Sequence, residues 1–321
     1  MHYDIVLLDL LMNILKNYLF LYVLAVFAAI VYLGFVWQTP IATTSEELRI
    51  YTTKIKFVRF VLSFGYIISW FAAAYAVMHL ARYCKLIHKS PESRGFSQLL
   101  SGLLVITLGM LAWPPMTAVR ALFTSNPDLI QVLTYFFNYL MIIPPLVGFY
   151  LIYRGTSKIL EAVKVENRFR IQSVWWFLAL ALFAVLYLWL LFINPQRNVS
   201  PAPGVPATFY LPDPLIIATI VLPAFTSWIL GILAIVKINN FKDQAPGLIY
   251  KSALPAFSGG LAAVIIGSAA LQAVVSVGTN KLFQLGAVPL VLTIYTFAGM
   301  LALGFMLLAK ATKRLSRIEE I

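Results

Sequence analysis

Acidic side chains are scarce in this chain, and they are missing from the places where they would do most. There are 12 Asp and Glu against 24 Lys and Arg, and charged residues make up only 11% of the whole. All the acids, from Asp4 to Glu320, fall between apolar runs or at their edges, and none occupies the middle of one. Carboxylates inside a bilayer mark proton relays and cation pathways, so proton-coupled transport through a buried acid is not expected. Histidine is limited to His2, His79 and His88. The last two lie at or beyond one end of a single run, which leaves no facing pair to ligate a haem. Cys84 is the single cysteine, so neither an intrachain disulfide nor a cysteine metal site is available. No Walker A loop, nucleophile elbow or acidic metal cluster occurs. These absences lead to the expectation that the protein is not an enzyme and holds no cofactor or metal. Period-two alternation is missing too, which excludes a membrane barrel.

What the chain has instead is apolar length. Hydrophobic residues account for 61% of 321 residues, and they come in long runs. A hydrocarbon core of about 30 Å needs roughly 20 mostly apolar residues per helix. Eight ranges satisfy that: 17–37, 56–82, 97–118, 131–153, 173–194, 214–237, 256–277 and 285–309. The fold class is therefore an all-α integral membrane protein with eight transmembrane helices.

The net charge of +12 does not point to nucleic acid, because the cations are spread between the apolar runs. Links 82–94, 154–170 and 237–251 and the tail 310–317 are rich in Lys and Arg, whereas the intervening links hold single cations such as Arg120, Arg197 and Lys281. By the positive-inside rule the rich links are cytoplasmic, and eight spans then put both termini inside, in the plasma membrane. The link 38–59 disagrees, since Arg49, Lys54, Lys56 and Arg59 fall on the side that should be outside. Residues 1–16 read as an amphipathic lead-in lying at the inner surface.

The chain also repeats itself. GFYLIYRGTSKI at 148–159 is echoed by GFMLLAKATKRL at 304–315. At an offset of 158, Ser69-Trp70 meets Ser227-Trp228, Gly102 meets Gly260 and Gly109 meets Gly267; at 156, Gly148 meets Gly304 and Thr156 meets Thr312. Chance matches between apolar segments would not hold so steady a register across four spans. Two four-helix repeats are expected, residues 17–160 and 161–321. Their even span number makes them parallel, related by a pseudo-two-fold axis along the membrane normal.

Candidate sites follow from the repeat. Trp70 and Trp228 fall near the middle of their spans, although membrane tryptophans usually gather at the interfaces. With Ser69 and Ser227 they would line a pocket between the repeats or simply pack. Gly102 with Gly109, and Gly260 with Gly267, are two turns apart on one face and would mark helix contacts, as would Gly148 and Gly304. Pro114-Pro115 would end a span and Pro144-Pro145 would kink one. Arg154, Lys158, Lys310, Lys313 and Arg314 would meet anionic lipid head groups at the inner face. The expected partners are the bilayer, those lipids and other membrane subunits, with no nucleic acid. The function expected is a non-enzymatic scaffold or subunit of a membrane complex. Alternatives are a transporter or channel for a small neutral or lipid-like solute, with its pocket between the repeats, and a receptor-like sensor whose output leaves through the basic tail.

Overall fold

The computed structural model describes residues 18–38, 46–122, 127–164, 174, 178, 181–182, 185, 222–244, 248–277 and 287–317. Among the described residues there are seven helices: α1 (Tyr18–Gln38), α2 (Glu46–Leu86), α3 (Ser93–Leu122), α4 (Pro127–Ala162), α5 (Leu222–Gln244), α6 (Leu248–Val277) and α7 (Ala287–Leu315). Five stretches among the described residues are long and apolar enough to cross a membrane: Ser63–Leu86, Ser93–Ala112, Leu222–Gln244, Tyr250–Ala269 and Thr296–Leu315. The described residues are all-helical but for short turns, with the build of a multi-pass membrane protein. A helix is what such a sequence must form, because in lipid every backbone N–H and C=O has to be satisfied within its own segment.

The whole of the expected lead-in, 1–16, and most of the fifth expected span, 173–194, lie outside the described residues. Within that span Val174, Leu178, Leu182 and Val185 are helical and exposed. Helix α2 differs from expectation at its start. It begins at Glu46 and is 41 residues long, about 60 Å at 1.5 Å per residue, so Arg49, Lys54, Lys56 and Arg59 ride on helical turns and not on a loop. Pro114 and Pro115 do not end their helix, which runs on to Leu122. Pro144 and Pro145 likewise stand inside α4. A membrane helix tolerates such prolines because neighbouring helices take over the freed backbone groups. Helix α7 closes at Leu315 and residues 316–317 form a turn.

Helix α3 packs on α4 and α6 on α7, while α2 packs on α7 and α5 on α4. Helix α1 lies against α2 and α3, and α5 also meets α6. The core between them is aromatic and aliphatic, with Trp70, Trp228, Phe149, Phe305, Tyr83 and Phe96 among its largest fully buried side chains. The outer faces are apolar as well. Phe20, Val23, Phe27 and Ile30 on α1 and Ile143, Val147 and Tyr150 on α4 are exposed, far more than a soluble surface carries and suited to acyl chains.

Candidate functional site

Small residues decide how closely the helices approach. A methyl group placed on Gly102 of α3 would come within 2.5 Å of the Gly148 carbonyl oxygen of α4, and one on Gly260 of α6 within 2.8 Å of the Gly304 carbonyl oxygen of α7. Gly109 makes room for the Pro144 ring, whose Cγ would lie 2.6 Å from such a methyl, and Gly267 faces Leu301. A second glycine pair, Gly95 with Gly155, closes the α3–α4 seam one step further along, with 2.7 Å from a Gly95 methyl to the Gly155 oxygen. Sequence reasoning missed this pair. The signal was present, because at the same offsets Ala253 and Ala311 stand on α6 and α7, both completely buried.

Trp70 and Trp228 are both buried. Trp70 stacks on Tyr66 and meets Tyr32 edge-on at 5.7 Å, and Trp228 meets Phe225 edge-on at 4.8 Å. The preceding serines turn inward on their own helices: Ser69 donates to the Tyr66 carbonyl and Ser227 to the Ala224 carbonyl, each at 2.7 Å. Thr107, Thr156 and Thr312 do the same, donating to carbonyls three or four residues back. A hydroxyl spent in this way satisfies itself without pointing at a ligand.

Two small cavities lie elsewhere. One, of about 40 Å³, is lined by Gly109, Leu140, Pro144, Ser268 and Leu301 among others. Proline at 144 has no N–H to offer the Leu140 carbonyl; Leu140 and Ser268 both line this space, which is large enough for water. The other, of about 10 Å³, is lined by apolar residues of five helices, including Phe96, Ile159, Phe241, Phe257 and Leu315, with Lys237 the one charged member. It has room for about one water.

Around this second cavity the basic ends of the helices are tied together. The Tyr83 hydroxyl of α2 meets the Tyr250 hydroxyl of α6 at 2.8 Å, and Tyr250 reaches Glu92 at the start of α3 at 3.5 Å. His79 Nδ1 of α2 lies 2.9 Å from Ser316 Oγ just beyond α7, and the His79 ring packs on Tyr75 at 4.3 Å. Lys237 Nζ of α5 donates to Ser157 Oγ of α4 at 2.5 Å and sits over the Tyr153 ring, 4.1 Å from its centre. His79 and Lys237 are themselves 158 residues apart, the offset at which Ser69-Trp70 meets Ser227-Trp228 in the sequence.

Of the cations expected at head groups, Arg154, Lys310 and Arg314 are exposed and Lys158 and Lys313 half-buried. Arg314 donates to the Ser252 carbonyl at 2.7 Å. No group of three His, Cys, Asp or Glu side chains that could hold a metal ion is found among the described residues. Compared with protein-family models, curated proteins and solved structures, the chain matches none.

Proposed function

We propose that this protein is a non-enzymatic scaffold or subunit of a membrane complex, built from two parallel four-helix halves with both termini on the cytoplasmic side of the plasma membrane. The observation that carries the reading is the state of the interior. The buried hydroxyls of Ser69, Thr107, Thr156, Ser227 and Thr312 turn back on their own helices, and its two described cavities hold no more than a few waters. An interior of this kind offers a solute little to bind, which leaves the outer helix faces and the basic end to meet partners.

The duplication is supported by the packing. Under an exchange of halves, α3–α4 becomes α6–α7 and α2–α7 becomes α5–α4, and all four pairs are in contact. Gly102 against Gly148 and Gly260 against Gly304 repeat one geometry. The positive-inside rule puts the tied basic ends in the cytoplasm.

The test is purification from its native membrane in mild detergent, followed by sizing and identification of bound proteins. A stoichiometric partner is the expected result, and a lone monomer would count against the reading. A transporter for a small neutral or lipid-like solute is the second reading. Its support is the 40 Å³ space beside Pro144 and Ser268, where prolines without an N–H leave backbone carbonyls for a substrate. Uptake of a neutral solute into vesicles of the purified protein alone would favour it.

A further inference from the structure

Lys237 is misplaced for an ordinary juxtamembrane cation. It stands seven residues before the end of α5 at Gln244, about 10 Å inside the helix end at 1.5 Å per residue. Its ammonium is held by a hydroxyl and a ring and by no carboxylate among the described residues. The nearest acids do not answer it. Asp243 pairs with Lys242 at 3.5 Å, and Glu161, a turn beyond Ser157 on α4, is exposed. The Ser157 hydroxyl, having accepted from Lys237, spends its own proton on the Tyr153 carbonyl at 2.8 Å. A half-buried cation this deep keeps its charge at a cost unless an anion meets it.

Two further cations stand beside that place. Arg154 is exposed and Lys158 half-buried; they directly follow Tyr153 and Ser157, the residues that hold Lys237, and so stand about 100° further around α4, on the flank of the seam. On the same stripe of α4, toward the membrane interior, Ile143, Val147 and Tyr150 are exposed. From Ile143 to Arg154 is eleven residues, about 16 Å, which matches one leaflet of a hydrocarbon core about 30 Å thick.

We propose that the α4–α5 seam at the basic end is a binding site for an anionic phospholipid. Its phosphate is held by Lys237, Arg154 and Lys158, with Tyr153 and Ser157 fixing the Lys237 ammonium, and one acyl chain lies along Ile143, Val147 and Tyr150. Basic pockets between membrane helices hold acidic lipid head groups in this manner, and a guanidinium adds a planar fork suited to phosphate. The apolar stripe selects a lipid over a soluble anion, and the three cations select an acidic over a zwitterionic head group. The site stands apart from the scaffold reading, since a transporter could carry it equally.

The experiment titrates the full-length protein in detergent with phosphatidylglycerol, phosphatidylcholine or inorganic phosphate and follows the thermal unfolding midpoint. Phosphatidylglycerol is expected to raise the midpoint, with neither of the others matching it. Lys237→Gln should need about tenfold more phosphatidylglycerol for the same rise, Lys237→Arg should respond as the parent does, and Lys310→Gln, on α7, should also be unaffected. The site is overturned if Lys237→Gln keeps the parent response, if phosphatidylcholine serves as well, or if no lipid shifts the midpoint. An effect of inorganic phosphate alone would make it a soluble-anion site and overturn the lipid assignment. Should Lys237→Gln not be recoverable from membranes, Arg154→Gln and Ser157→Ala decide: weakened responses support the site, and an unchanged response in both rejects it.

Discussion

At Gly102 and Gly260 the lack of a side chain is a packing requirement, because the atom nearest an added methyl is a carbonyl oxygen of the facing helix, which cannot rotate away. Gly34 and Gly299, by contrast, have nothing within 4 Å of such a methyl. Gly102→Leu and Gly260→Leu should therefore each lose about 1–3 kcal/mol through overpacking, read as a lower unfolding midpoint in detergent. Gly34→Ala and Gly299→Ala should gain about 0.5–1 kcal/mol from reduced backbone freedom. Equal effects at all four positions would mean that α3–α4 and α6–α7 do not approach as described. Lys237 belongs to the same scale. In the sequence it is one of three cations in the link 237–251, and nothing there separates it from Lys242 or Lys251.

At the scale of elements, the basic ends are joined by hydroxyls more than by ion pairs. Tyr83 on α2 and Tyr250 on α6 share a hydrogen bond at 2.8 Å, backed by the edge-on contacts of Tyr83 with Phe96 and of Phe241 with Tyr250. Removing either hydroxyl should cost about 0.5–1.5 kcal/mol. Because the two act as a pair, the double variant Tyr83→Phe with Tyr250→Phe should cost little more than one alone. Additive losses in unfolding measurements would show that the two helices are not coupled there. Helix α4 makes a separate point. Pro144-Pro145 reads in isolation as a kink, and the helix runs on through both prolines, with Gly109 on α3 yielding the space the Pro144 ring needs. That room comes from a neighbour that the local sequence does not reveal.

For the molecule as a whole, two seams carry one side-chain bridge each, His79 to Ser316 between α2 and the end of α7, and Lys237 to Ser157 between α5 and α4; His79 and Lys237 share the 158-residue offset, whereas an offset of 156 carries Ser316 to Leu160 and Ser157 to Lys313. In a background with Cys84→Ser, paired cysteines at 79 and 316, or at 157 and 237, should form disulfides on mild oxidation in membranes. Pairs 79 with 157 and 237 with 316 should not. Both predicted bonds together would support the α2–α7 and α5–α4 packing, and failure of either would overturn that seam. The bridges are not identical in chemistry. His79 lies near Arg82, Lys313 and Arg317, whereas the positions at the same offsets near Lys237 are Asn240, Ser157 and Glu161, so the two seams differ in charge.

Composition alone determined that the protein is helical and belongs in a bilayer, since apolar length and the want of buried acids are properties of residues whatever their partners. The glycine register was also legible, because a small residue is conspicuous in an apolar run and its spacing defines a face. Tertiary structure alone decided which faces meet. It turned Arg49 to Arg59 into helical turns, carried α3 through Pro114-Pro115, and closed Gly95 on Gly155. It also set a lysine beneath the end of α5 against Ser157 and Tyr153, 80 and 84 residues away along the chain. Burial and partnership depend on distances that a one-dimensional pattern does not contain, and for Lys237 they make the difference between a solvated charge and a binding site.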